Sequence, residues 1–116
     1  MERKAQNAAT PSDFRDCLDG LRVFFETFMR AAGRLVEPRT GEPVPAEEKA
    51  VLWKNYLRKV GIIGDSDMEV MQSIYNYLSN RGTHKLQTAP EEFHVMKTTV
   101  IEWTLLIAGR IRNYMT

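Results

Sequence analysis

Between Phe14 and Leu35 the apolar residues Phe14, Cys17, Leu18, Leu21, Phe25, Phe28, Met29, Ala32 and Leu35 recur at steps of three and four. That spacing holds them on one side of a helix for about six turns, and it does not fit the period of two that a strand needs. Val23 and Phe24 widen the stripe, and the pattern runs through Gly20 and Gly33 although each lowers helicity. Just ahead, Thr10-Pro11-Ser12-Asp13 reads as a helix start. Thr10 can accept from the amide of Asp13, Pro11 suits the first helical position, and Asp13 and Asp16 complement the dipole. Residues 1–10 are polar and alanine-rich and are expected to form a loose tail, with a single domain over residues 11–116.

Three of the five prolines fall between Glu37 and Pro45, together with Gly41. The spacing predicts a small turn with short extended flanks there, too short for a sheet that carries a fold. A second helix is expected from about Pro45, with Glu47 and Glu48 in its first turn. Leu52, Trp53, Tyr56, Leu57 and Val60 form its apolar face, and Gly61 is its stop. After the connector Ile62-Ile63-Gly64, Asp65 or Ser66 caps a third helix carrying Met68, Met71, Ile74, Tyr75 and Leu78. This helix is expected to break near Ser79-Asn80-Arg81-Gly82, because Gly82 tolerates the left-handed conformation. Thr88-Ala89-Pro90-Glu91 is a capping box that opens a last helix reaching nearly to Thr116. One stripe of that helix holds Phe93, Met96, Val100, Trp103, Ile107 and Ile111. A second holds Ile101, Leu105, Ala108, Arg112 and Met115. So wide an apolar arc must meet neighbours on two sides. The fold class is therefore all-α: a small up-and-down bundle of about four helices, the first and last long and the middle two shorter.

Composition narrows the function classes. The 116 residues carry 16 Lys+Arg against 15 Asp+Glu, a net charge of +1, which argues against a protein that mainly coats nucleic acid. Cys17 is the single cysteine, so an internal disulfide and a Cys-rich zinc site are excluded, and a reducing cytoplasm is the expected setting. No run approaches 18 apolar residues, and residues 1–10 have no apolar stretch of signal-peptide length, so no membrane role is expected. No phosphate-cradling, dinucleotide, zinc-protease or nucleophile-elbow motif is present. No cofactor and no metal are expected: His84 and His94 lie on different elements, with Glu91 and Glu92 near His94 alone. Cys17, on the apolar stripe, reads as a small buried hydrophobe rather than a nucleophile.

Polar, chemically able groups concentrate in Leu78-Ser79-Asn80-Arg81-Gly82-Thr83-His84. His84 can act as an acid or base near neutral pH, Arg81 can bind a phosphate, and Asn80 can orient either. The plainer alternative is that Ser79 and Asn80 cap a helix end while His84 closes the turn. The basic residues also admit two readings. Arg15, Arg22 and Arg30 recur along the first helix and could face an RNA backbone. Alternatively, Asp16, Asp19 and Glu26 balance them on a solvated face. Trp53, Tyr56, Tyr75, Tyr77 and Trp103 read as core or interface positions rather than base-stacking platforms.

The order of these features resembles the HEPN-like superfamily, helical domains common in bacterial defence, toxin–antitoxin pairs and RNA processing. The resemblance covers roughly residues 13–114. It rests on Leu21-Arg22-Val23-Phe24-Phe25-Glu26 in the first helix, on Leu78 to Leu86, on Thr88-Ala89-Pro90-Glu91-Glu92, and on Ile101-Glu102 in a long apolar last helix. In active members an arginine, often followed by asparagine, precedes a histidine, and two such motifs meet across a dimer to cut RNA without metal. His84 matches that histidine and Asn80 the asparagine. Ser79 stands where the arginine belongs, and the nearest arginine is Arg81. The resemblance implies a homodimer, and the wide apolar arc of the last helix points to self-association through that helix and the turn around His84, with Phe93, Val100, Trp103, Ile107 and Ile111 as the expected interface. Three functions follow as expectations. The first is a self-associating interaction domain of a defence, toxin–antitoxin or stress-response system, with a protein partner left open. The second is a metal-independent ribonuclease using His84, Asn80 and Arg81. The third is a non-catalytic nucleic-acid-binding regulator using Arg15, Arg22 and Arg30.

Overall fold

A computed structural model of the chain describes residues 11–84 and 90–116, without the side chains of residues 11–15, 79–84, 90 and 92. Its elements are α1 (Pro11–Thr40), α2 (Ala50–Lys59), α3 (Asp65–His84) and α4 (Pro90–Met115). There is no strand among the described residues. The all-α bundle that the periodicity predicts is what forms. Thirty residues at a helical rise of about 1.5 Å make α1 about 45 Å long, and α1 sets the 47 Å long axis of the molecule. The other three helices each lie against α1.

Most of the predicted apolar stripe of α1 is buried: Cys17, Leu18, Leu21, Phe25, Met29 and Ala32 are in the core and Phe28 is half-buried against it, whereas Leu35 is 55% exposed and Val36 takes the inward place. Trp53 and Leu57 meet them from α2, Met71, Ile74 and Leu78 from α3, and Phe93, Val100, Ile107 and Ile111 from α4. Each fully buried Leu, Phe or Met side chain contributes roughly 1.5–3 kcal/mol relative to exposure. Cys17 is one of these buried hydrophobes.

Three helix boundaries differ from the sequence expectation: the end of α1, the start of α2 and the end of α3. The segment expected as a turn with extended flanks is helical as far as Thr40, through Pro38. Val36 extends the buried stripe by one more turn, and proline near a C-terminus removes only one hydrogen bond. Gly41, at φ +76°, then ends the helix, and its N–H donates to the Glu37 carbonyl at 3.0 Å. The chain beyond is fastened by side chains. The Tyr56 hydroxyl donates to the Glu42 carbonyl at 2.7 Å, and the Val44 N–H donates to the Glu37 carboxylate at 3.0 Å. The second difference is the start of α2 at Ala50 rather than near Pro45. Glu47 and Glu48 precede the helix and serve α1 and Trp53 instead. The Glu48 carboxylate pairs with Arg30 at 2.7 Å and Arg34 at 3.2 Å, and the Glu47 carbonyl accepts the Trp53 indole N–H at 2.8 Å.

Trp53 seats α2 on α1. A Cβ at Gly33 would lie 2.8 and 2.9 Å from the indole Cε3 and Cζ3 atoms, closer than real contacts allow. The absent side chain of Gly33 is therefore the space that the indole fills. The Arg34 guanidinium lies over the same ring, 4.8 Å from its centroid. The far end of α2 closes with Gly61 at φ +88°, as expected. The Ile62 N–H reaches the Leu57 carbonyl at 3.0 Å and the Gly61 N–H the Arg58 carbonyl at 3.1 Å, a Schellman closure that turns Ile62 and Ile63 into the core. Next to it, Arg110 of α4 donates to Asp67 of α3 at 2.6 Å and to the Ile62 carbonyl at 3.4 Å. The Arg110 guanidinium holds the Asp67 carboxyl below its ordinary value.

Gly33→Ala is expected to destabilise the fold by about 1–3 kcal/mol through overpacking against Trp53, although Ala is the better helix former. Urea unfolding measures it, and a gain in stability would contradict the Gly33–Trp53 contact.

Candidate functional site

The polar turn expected after the third helix is not a turn at its start: α3 continues through Gly82 to His84. Glycine inside a helix costs only about 1 kcal/mol relative to alanine, so Gly82 permits a stop without imposing one. Asn80 and His84 are thereby one helical turn apart in the backbone. The side chains of Ser79, Asn80, Arg81 and His84 lie outside the described residues, as do Lys85 to Ala89 and the side chain of Arg15.

The other two arginines of the expected RNA-binding set have separate, local partners. Arg22 is half-buried and 4.0 Å from Asp19, and its Nε is enclosed without a hydrogen bond. Arg30 is tied to the Glu48 carboxylate and, at 3.4 Å, to its carbonyl. The structure joins Arg30 to Arg34 across Glu48 rather than to Arg22.

The last helix divides its two stripes differently from the expectation. Phe93, Val100, Ile107 and Ile111 are buried in the chain's own core, and Trp103 is half-buried against it. Phe93, Val100, Ile107 and Ile111 are thus enclosed by the chain's own helices, which leaves Trp103 as the one member of the expected interface set with open surface. The outward arc carries Ile101, 42% exposed, and Leu105, 61%, from the second stripe, together with Leu106, 45%, while Met115 of that stripe is half-buried against the core. A Cβ at Gly109 would meet nothing within 4 Å, and Glu102 and Arg112 on the same helix are exposed.

A cleft of about 510 Å³ lies where α1, α2 and α3 meet. Its apolar wall comes from Phe25 and Met29 of α1 with Met71 and Tyr75 of α3. The cleft lies beside the start of α2, which is ten residues long and begins at Ala50, part-way along α1. Across the cleft lie Lys49, Ala50 and Val51 at the start of α2, where no side chain caps the helix. Lys54 reaches in from the next turn and donates to the Gln72 side-chain oxygen of α3. Only 9% of Lys54 is exposed, and burial pushes its ammonium pKa below 10.5. No carboxylate forms an ion pair with Lys54 among the described residues. Of the two acids lining the cleft, Glu48 is held by Arg30 and Arg34, and Glu26 stands on the α1 side.

Sequence reasoning missed Lys54 and Gln72. A lysine beside Trp53 on a short helix looks like any solvated residue, and the only local hint is its place between Trp53 and Leu57 on a largely apolar face. Among the described residues no three His, Cys, Asp or Glu side chains gather as a metal-holding group, and no helix is long and apolar enough to cross a membrane. Comparison of the chain with family models, with curated proteins and with solved structures gives no match.

Lys54 gives the cleft a pH signature. Its folded-state pKa lies below the unfolded value of 10.5, so between the two the unfolded chain binds more protons and stability rises with pH. Below the folded value the cost of burying the charge is constant. Urea unfolding of the native chain and of Lys54→Met across the alkaline range is expected to show the native chain gaining on the variant as pH climbs toward 10.5. Parallel curves would contradict a desolvated Lys54.

Proposed function

We propose that this chain is a self-associating helical interaction domain whose contact surface is the outward arc of α4. The observation that carries this reading is the arrangement on that arc of Glu102, Leu105, Gly109 and Arg112, spaced by three and four residues and so aligned on one side of the helix. In an antiparallel pair of α4 helices centred on the level of residue 107, Leu105 of one copy lies against Gly109 of the other. Glu102 then stands opposite Arg112. A large apolar residue meets a position with no side chain, and opposite charges meet at the rim, so one surface complements itself as a twofold contact requires. The net charge of +1 adds little repulsion between copies. The resemblance to HEPN-like domains, with a dimer and a place in defence or toxin–antitoxin systems, supports the same reading.

Light scattering of the native chain at high concentration is expected to give twice the 13.4 kDa monomer mass. Leu105→Glu, at a residue outside the core, is expected to return the monomer mass with unchanged helical circular dichroism. A native chain that scatters as a monomer would overturn self-association, and a Leu105→Glu variant that remains dimeric would overturn this surface.

A further inference from the structure

We infer that the cleft between α1, α2 and α3 is a binding site for a small organic anion with an apolar body, such as an aromatic or branched carboxylate or sulfonate. Three features of the cleft carry this, all independent of the surface on α4. The first is Lys54, nine-tenths buried, with its ammonium directed at a neutral amide of Gln72 and paired with no carboxylate among the described residues. A buried cation without a counter-charge is costly, and an anion that enters beside it recovers that cost as a charge-assisted hydrogen bond. Gln72 holds one of the three ammonium protons and leaves donors on Lys54 for a ligand oxygen.

The second feature is the start of α2, which lies on the rim. No side chain caps it, and apart from the Leu52 N–H, which donates to the Lys49 carbonyl at 3.0 Å, the first amides of the helix have no intrahelical acceptor, so this end of the cleft favours negative charge as Lys54 does. The cleft's own acids do not reverse the balance. Glu48 is already neutralised by Arg30 and Arg34, and Lys49 by Glu47 at 3.3 Å, so Lys54 and Glu26 are left as the opposed charges of the cleft. The third feature is the wall opposite the cation. Phe25, Met29 and Met71 close the base of the cleft from within the core, and the half-buried Tyr75 with the exposed Val51 offers the apolar surface that suits a flat or branched group. A volume of about 510 Å³ falls in the range of sites for small organic ligands. A free inorganic anion would leave that wall unused, and a neutral apolar molecule would leave Lys54 without a counter-charge.

The test uses two probes of matched shape: 1-anilinonaphthalene-8-sulfonate and its neutral parent, N-phenyl-1-naphthylamine. Fluorescence titration of the folded native chain is expected to show one sulfonate bound per chain, more tightly than the neutral probe. Lys54→Met is expected to weaken the sulfonate about tenfold to hundredfold, the range of a lost charge-assisted hydrogen bond, and to leave the neutral probe unchanged. Lys54→Arg, which keeps the charge, should retain most of the preference. Val51→Trp alters an exposed cleft residue outside the core, and its indole should block both probes without affecting folding. Equal affinity for the two probes in the native chain would overturn the proposal. So would sulfonate binding that survives both Lys54→Met and Val51→Trp, since it would then lie elsewhere, for instance on the outer arc of α4.

Discussion

The close seating of Trp53 on Gly33 fixes where everything else in the molecule lies. α1 is a long rod with one buried stripe, and α2 is a ten-residue helix that cannot hold its position by length. An indole resting where a side chain is missing, fastened by the Glu47 carbonyl and covered by Arg34, sets both the depth and the position of α2 along α1. From that placement follow the Schellman closure at Gly61, the burial of Ile62 and Ile63, and the clasp of Arg110 on Asp67 that ties α4 to the start of α3. The same placement sets the start of α2 beside the cleft that Phe25 and Met29 close from within the core.

How much of this was legible in the sequence depends on the range of the forces involved. The four helices and the inward positions of α1 follow from apolar periodicity, which acts within one element and shows directly in residue order. The helix ends were less legible, because tertiary bonds set them. Thr40 remains helical while Val36 is buried and Tyr56 and Glu37 fasten the chain beyond. Ala50 starts α2 because Glu47 and Glu48 are drawn to Trp53 and to two arginines of α1. In α4 both stripes are apolar, so periodicity alone could not say which one turns inward. Phe93 and Trp103 stand on the stripe that the structure turns toward the core, and Ile101, Leu105 and Ala108 of the other are left outside, on the side of Gly109.

The cleft lies at the far end of that scale. Lys54 and Gln72 are eighteen residues apart on different helices, and neither belongs to a recognisable motif. Their meeting depends on the depth at which Trp53 seats α2, a tertiary quantity with no local signature. The sequence directed attention instead to Ser79 through His84, where chemically able side chains are adjacent in the chain. Adjacency in sequence and convergence in space are different properties, and the buried cation of this molecule arises from the second.

The two surfaces proposed for recognition divide the molecule by side: the outer arc of α4 for a second copy, and the junction of α1, α2 and α3 for a small anion. The central claim is the antiparallel pairing of α4, and a distance between copies tests it most directly. Nitroxide labels on Asn113→Cys and, separately, Glu91→Cys leave the buried Cys17 unlabelled, and dipolar spectroscopy then reads the separation between copies. A twofold axis at the level of residue 107, with about 1.5 Å of rise per residue, predicts about 20 Å for the Asn113 pair and about 50 Å for the Glu91 pair. Absence of coupling for the Asn113 pair, or a Glu91 pair closer than the Asn113 pair, would contradict it.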